Sequence, residues 1–183
     1  ADLKPEKSIA FTLGTTIQPD RNTVVTLDYW RILLTKQIAE FPEQTVFSDL
    51  AKYGGRIVRC NQLTALDAGN WERCLVVPGA ANSSTAIAYI RTLTDNLGDI
   101  KTDGIDLTAS WSSSVGTMGR LSLIYDLTWV HSYKYQRTPD SDFVENVGMY
   151  VDATPVFRTK QFVSAVLAGQ SMRYSLAIKR LSG

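Results

Sequence analysis

Residues 121–136 read Leu-Ser-Leu-Ile-Tyr-Asp-Leu-Thr-Trp-Val-His-Ser-Tyr-Lys-Tyr-Gln, a run without Gly or Pro. Leu121, Leu123, Tyr125, Leu127, Trp129, His131, Tyr133 and Tyr135 share one parity. Ser122, Asp126, Thr128, Ser132, Lys134 and Gln136 share the other, interrupted by Ile124 and Val130. Successive side chains of a strand point to opposite faces, so the pattern predicts one half-buried β-strand. At about 3.3 Å per residue it would run to about 53 Å, against about 17–20 Å for an ordinary globular strand. The fold must accommodate unusually long strands.

Five more period-2 segments flank this run. Ile9, Phe11, Leu13 and Ile17 alternate with Ser8, Ala10, Thr12, Thr16 and Gln18 before the turn residues Pro19-Asp20-Arg21-Asn22. The second strand is expected from Thr23 to about Ile38, with Val25, Leu27 and Tyr29 opposing Thr26 and Asp28. Its phase blurs over Trp30-Arg31-Ile32-Leu33-Leu34, where a bulge is expected. The third is predicted over about Ala86–Trp111, bulged or bent at Asn96-Leu97-Gly98. The quoted run is the fourth, and Phe157–Leu167 and Met172–Leu181 are the fifth and sixth, joined through the hairpin signal Gly169-Gln170-Ser171.

Connections in this reading alternate short and long, the long ones covering about 39–85 and 137–157. In an antiparallel up-and-down meander every short turn then falls at one end of the sheet and every long loop at the other. Long structureless loops are uncommon in compact soluble domains, whereas this asymmetry is the habit of outer-membrane barrels. One face of the late third, fourth and sixth strands lacks Lys, Arg, Asp and Glu, while the other carries Asp106, Asp126, Lys134, Arg173 and Lys179. That suits an apolar exterior around a wet lumen, with Trp30, Trp111, Trp129, Tyr133, Tyr135 and Tyr174 as candidates for interfacial girdles. A soluble β-sandwich would alternate in the same way; strand length and loop asymmetry favour the barrel.

Composition sets further bounds. A chain of 183 residues, 44% hydrophobic and 20% charged, is large enough for one domain, and its net charge of +1 gives no electrostatic reason to expect nucleic acid. No apolar run reaches the roughly 18–20 residues of a membrane helix, and the polar start is not a signal peptide, but neither fact bears on a barrel. Cys60 and Cys74 lack the second Cys or His pair of a zinc site, so a loop-closing disulfide in an oxidising compartment is the reading preferred over free thiols.

Particular residues are similar to a known family. Leu3-Lys4-Pro5-Glu6-Lys7-Ser8, Phe11-x-Leu13-Gly14, Gln18-Pro19 and Leu27-Asp28-Tyr29-Trp30 resemble the middle of the β-barrel of TonB-dependent outer-membrane receptors. Asn96–Leu107, Gly119-Arg120-Leu121, Tyr133-Lys134-Tyr135-Gln136, Val144-x-Asn146-Val147-Gly148 and Pro155-Val156-Phe157-Arg158 follow in the family's order. The resemblance implies an all-β antiparallel meander, about six strands of a transmembrane barrel of about 22. Residues 1–183 are then expected to be a barrel segment without a plug domain and without the final strands. It further implies a bacterial outer-membrane location, a lipid bilayer around the wall, and no cofactor. Its partners would be the plug and remaining strands of the same receptor, and, through the plug, an energy-coupling inner-membrane complex. The ligand would be a scarce nutrient: a metal chelate, a vitamin or an oligosaccharide. The alternative kept open is a soluble β-sandwich or adhesin-like binding module.

Chemistry-bearing residues are sparse. His131 is the only histidine, which removes multi-His metal sites and leaves it an interfacial aromatic. Asp103, Asp106 and Asp126 invite a carboxylate-pair reading, but as lumen residues of adjacent strands they need only be solvated or paired. Ser112-Ser113-Ser114-Val115-Gly116 is no nucleophile elbow, and Gly98 and Gly104 around Lys101 sit in a strand rather than a phosphate loop. No enzymatic activity is expected. Recognition is left to the loops, where Phe47, Tyr53, Arg56, Arg59, Asn61, Gln62, Trp71, Glu72 and Arg73, and then Phe143, Glu145, Asn146 and Tyr150, offer aromatic and hydrogen-bonding surface.

Overall fold

A computed structural model describes residues 3–64, 67, 69, 71–76, 83–151 and 154–183. In chain order its strands are β1 (Lys7–Asp20), β2 (Thr23–Thr35), β3 (Ile38–Glu40), β4 (Ile57–Arg59), β5 (Ile87–Ile90), β6 (Thr94–Asn96), β7 (Ile100–Ser114), β8 (Arg120–Tyr135), β9 (Val144–Glu145), β10 (Tyr150–Val151), β11 (Thr154–Pro155), β12 (Thr159–Ala168) and β13 (Arg173–Ser182). Three short helices, α1 (Glu43–Ser48), α2 (Leu50–Tyr53) and α3 (Trp71–Val76), lie between β3 and β5. The chain forms two compact units, one over Pro5–Gln37 and Gly98–Gly183, the other over Ile38–Leu97 with Lys4 beside it.

The larger unit is built on an antiparallel sheet in the order β1-β2-β7-β8-β12-β13, with β9 paired to the end of β8, and also holds the two-stranded β10–β11 ladder. Spatial order follows chain order, so this is the all-β up-and-down meander expected. The β7–β8 turn needs glycine: Gly119 has φ +110, and a Cβ there would collide with the Ala168 carbonyl at the neighbouring hairpin. The sheet does not close on itself, and β1 and β13 are its two edges.

Register sorts the side chains into two faces. On the first, cross-strand rows run Leu13–Tyr29–Ile105–Trp129, Thr15–Leu27–Leu107–Leu127, Ile17–Val25–Ala109–Tyr125–Val163–Ile178 and Trp111–Leu123–Ala165–Leu176. The top of this apolar belt descends from Ile9 on β1 through Trp129 on β8 to Ile178 on β13, the slant that tilted, sheared strands of a barrel impose. The belt is uncovered: Leu13, Leu27, Tyr29, Leu123, Val163, Tyr174, Leu176 and Ile178 are all exposed.

In a sandwich that face would be the core. Here, among the described residues, the buried apolar ones lie almost entirely in the smaller unit, with only Val130 and Val147 from the larger. One cluster there joins Val58, Cys60, Leu63, Cys74 and Ala88; the other joins Phe41, Val46, Ile57 and Leu97. The β4–β5 ladder carries Ile57, Val58 and Ala88 of these.

Two expectations about strands are corrected. The single strand over about Ala86–Trp111 is three strands, because Leu97 is buried in the core of the smaller unit and Asp99 begins a different pairing. Asp99 accepts from the Gln136 backbone N–H at 3.0 Å and donates its own to Gln136 Oε1 at 3.1 Å. The bulge expected at Trp30–Leu34 is absent; β2 keeps one register with β7 from Thr23 to Leu34. The strand stops at Thr35, before the expected Ile38, where Lys36 takes a positive φ of 56°. The blurred phase has a different cause, found on β8.

Candidate functional site

Asp103 of β7 pairs with Ser132 of β8, but Gly104 pairs with Val130, so His131 is an extra residue, a β-bulge. Its side chain stays on the first face: Nδ1 lies 2.9 Å from Asp103 Oδ2, and the ring sits 5.5 Å from that of Trp129. Beyond it the parity flips. Ser132 and Lys134 take the first face opposite Asp103 and Lys101, and Tyr133 and Tyr135 turn to the second opposite Thr102 and Ile100. The uniform face expected for residues 121–135 is therefore corrected. A period-2 reading carries its phase through an inserted residue and mis-assigns everything after it.

Glycine at 104 makes room for this. A Cβ there would lie 2.5 Å from both the Trp30 ring and the Trp129 carbonyl oxygen. Trp30 therefore belongs to the second face. Of the six girdle candidates, Trp111, Trp129 and Tyr174 are on the belt face, while Trp30, Tyr133 and Tyr135 are not.

The second face is hydrophilic alongside the belt. Asp28 stands opposite Asp106, Thr108 donates to Asp126 at 2.8 Å, Thr16 and Thr26 hydroxyls meet at 3.0 Å, and Lys160 and Lys179 share the surface. Ser112 shares a hydrogen bond with Ser122 and accepts another from Arg120 Nε at 2.7 Å, so the serine run is wall rather than nucleophile. Asp103 is on the opposite face from Asp106 and Asp126, so the three aspartates form no single constellation. No metal-binding cluster occurs among the described residues.

Above the bulge both faces change character. The second face carries Trp30, Ile32, Leu34, Ile100, Val130, Tyr133 and Tyr135, and the two tyrosine rings are 6.3 Å apart. Burial raises the Tyr133 hydroxyl pKa. The first face carries Arg31, Lys101, Asp103, His131, Ser132 and Lys134.

The segment from 136 to 158 is tied down locally. Gln136 Nε2 donates to the Ser141 carbonyl at 2.7 Å, and Lys101 lies 4.1 Å from the Phe143 ring. Glu145 accepts from the Tyr133 N–H at 2.9 Å, the Ser132 hydroxyl at 2.8 Å and the Val147 N–H at 3.3 Å. Burial alone would raise the Glu145 pKa; these bonds and the nearby Lys134 outweigh it and hold the carboxyl below the usual range. Asn146 is buried and Tyr150 exposed.

In the smaller unit, Cys60 and Cys74 are bonded, with Cα atoms 5.7 Å apart, and both are buried. Arg56 donates to Asp95 at 2.6 Å and stacks 4.0 Å over Phe41, which also packs 5.1 Å from Tyr53. Those two candidates are therefore structural. The backbone N–H of Asn61 donates to the Ser83 carbonyl, Glu72 is exposed, and Phe47 is half-exposed. The side chains of Trp71 and Arg73 lie outside the described residues.

Arg59 and Gln62 line a cleft with Arg91, a residue that sequence reasoning missed. Its signal was hidden because Arg91 sat inside a supposed strand.

A family model described as TonB dependent receptor-like, beta-barrel, matches residues 1–176. Comparison with curated proteins and with solved structures gives no match.

Proposed function

The chain belongs to the TonB-dependent receptor-like β-barrel family, and on that premise we propose that it supplies wall, lumen lining and outer loops to a receptor that imports a scarce nutrient across the bacterial outer membrane. The family is one of transport receptors, not enzymes. The belt of the first face meets lipid, and the hydrophilic second face lines the lumen. The turns at Arg21–Asn22, Gly116–Met118 and Gly169–Ser171 face the periplasm, and the segments 36–99 and 136–158 face outward. Residues 1–183 act as one barrel segment in this reading, although Ile38–Leu97 folds as its own compact unit. Cargo of the classes named above, a metal chelate, a vitamin or an oligosaccharide, would be met by the outer segments first. A plug and further strands of the same receptor, coupled to the inner-membrane energy source, would complete the transporter.

The observation that carries this reading is the exchange of polarity at His131. From Leu121 to Trp129 is about 26 Å of strand, which a tilt of about 35–45° reduces to about 20 Å of depth. Within that depth the first face of β7 and β8 carries no charge; immediately above it come Arg31, Asp103, His131, Lys101 and Lys134. A lipid boundary explains why one face changes at that level. An all-aqueous sandwich offers no reason for it.

Cysteines introduced singly at Met149 and at Asn22 test the orientation in intact cells. A membrane-impermeant maleimide should label position 149 and leave position 22 unlabelled until the cells are broken. Equal labelling of both in intact cells, or a chain recovered as a folded monomer without detergent, sinks the proposal.

A further inference from the structure

We infer that the smaller unit carries an oxyanion-binding cleft, built by Arg59 and Arg91 against the Gly54–Gly55 turn. The cleft measures about 290 Å³ and is lined by Gly54, Gly55, Ile57, Val58, Arg59, Gln62 and Arg91. Its size is near the lower end of small-molecule sites, so it takes a compact ligand or the charged terminus of a larger one. Resting on the receptor reading, this names the chemistry of what the outer segment captures: a carboxylate or phosphate group.

The charge of the lining is one-sided. Three arginines lie in this region, and Arg56 is already engaged by Asp95 and Phe41. Arg59 is held in place by donating from Nη1 to the Thr85 carbonyl at 2.7 Å, which leaves its other N–H groups for a ligand. Arg91 is fixed through its backbone N–H, which donates to the Arg56 carbonyl at 2.8 Å. Gln62 accepts from the Arg59 N–H through Oε1 at 2.9 Å, so the amide can present its NH₂. Among the described residues no carboxylate lines the cleft. Outside the lining, the Asp67 carboxylate acts electrostatically on Arg91 while its oxygens accept from neutral donors: Oδ1 from the Tyr89 hydroxyl at 2.6 Å, and Oδ2 from the N–H and hydroxyl of Thr64.

Arg59 and Arg91 both line this one cleft, and an anion bound there would be attracted by both guanidinium charges. Their planar forks match carboxylate and phosphate oxygens in pairs. Gly54 and Gly55 leave the opposite wall open, since a Cβ at either would meet nothing within 4 Å. A ligand can therefore approach the backbone there. The lining is polar, which disfavours a purely apolar occupant.

The test is equilibrium dialysis of the detergent-purified protein with citrate in one arm and inorganic phosphate in the other. Arg59→Gln, Arg91→Gln and, as a control for charge, Arg21→Gln are compared with the parent. Saturable binding of at least one anion is expected, weakened tenfold or more by Arg91→Gln and Arg59→Gln and unchanged by Arg21→Gln. The responding arm identifies the carboxylate or the phosphate source. Should Arg59→Gln disturb folding, seen as faster trypsin cleavage, Arg91→Gln decides alone. No saturable binding in either arm, or binding that ignores Arg91→Gln, overturns the cleft. Outer-membrane insertion and uptake are read separately: a protein that inserts and transports but binds neither anion refutes only the cleft, and one that binds anion without inserting refutes only the receptor reading.

Discussion

Arginine at Leu127 and arginine at Thr128 are neighbouring substitutions with opposite expected outcomes. Leu127 lies on the first face in the row Leu27–Leu107–Leu127, one row from the centre of the Leu121–Trp129 belt. Thr128 lies on the second face, opposite Asp106 on one side and Lys160 on the other. An arginine on the lipid face costs about 2–4 kcal/mol at the bilayer midplane and falls toward zero at the interfaces. One row off centre, Leu127→Arg should cost about 2–3 kcal/mol, or roughly 30- to 160-fold in the folding equilibrium constant. Thr128→Arg gains a neighbouring carboxylate and a neighbouring ammonium in a wet environment, so its expected cost is close to zero. Urea-dependent folding into phospholipid vesicles, followed by the heat-modifiable shift on gels, measures both. If Thr128→Arg is as damaging as Leu127→Arg, the faces are assigned wrongly and the lipid-facing belt goes with them.

Two further outcomes follow from the outer segments. Replacing Cys60 and Cys74 by serine removes a link across 14 positions, worth about 3 kcal/mol for a loop of this size; trypsin should then cut the 38–97 unit faster while the heat-modifiable barrel signal is unchanged, and an unchanged digestion rate contradicts a stabilising role. Because the folded-state pKa of Glu145 is depressed, its contribution is complete above the unfolded-state value and is lost as pH falls through the folded one. Acid should therefore lower the protection factor of the Asn146 N–H, measured against its intrinsic exchange rate at each pH; this group donates to the Tyr133 carbonyl. Glu145→Gln should flatten that dependence, and identical profiles for both proteins speak against it.

Much of the sheet was legible because its signals are local. Alternation located β1, β8, β12 and β13 to within a few residues, and turn residues placed the β1–β2 and β12–β13 hairpins. What stayed hidden depends on pairing between distant strands. The strand supposed over Ala86–Trp111 contained apolar residues belonging to two cores, and a one-dimensional period cannot tell that Leu97 packs with Phe41 and Val46. The cleft lined by Arg59 and Arg91 was invisible for the same reason, since its lining comes from β4 of the β4–β5 ladder and from residues at the ends of both strands. The blurred phase on β2 was a true signal read as the wrong device. Ile32 and Leu34 share a face with Trp30 because the second face turns apolar at that level, not because the strand bulges.

The bulge at His131 explains how one strand of this length serves two environments, and it makes the sharpest claim about β8. A regular strand rising out of lipid would keep Tyr133 and Tyr135 on the face that met lipid. The extra residue reverses them without breaking the ladder, placing two aromatics inward and Lys134 outward. Deleting His131 should therefore be mild. Ser132 already pairs with Asp103 and Val130 with Gly104, so closing the gap preserves every pair above and below. The losses are the Nδ1–Oδ2 hydrogen bond with Asp103 and the ring contact with Trp129, together worth about 1 kcal/mol at a partly exposed position. Deleting Thr128 instead shifts Trp129 and Val130 by one before the bulge can absorb the loss, which puts Val130 on the belt face and turns Trp129 to the second face against β7 and β12. Yield of the heat-modifiable form in outer membranes should stay near the parent for the first deletion and collapse for the second. Were β8 a continuous strand, the deletion at 131 would itself reverse Ser132 through Tyr135, and the two variants would fail alike.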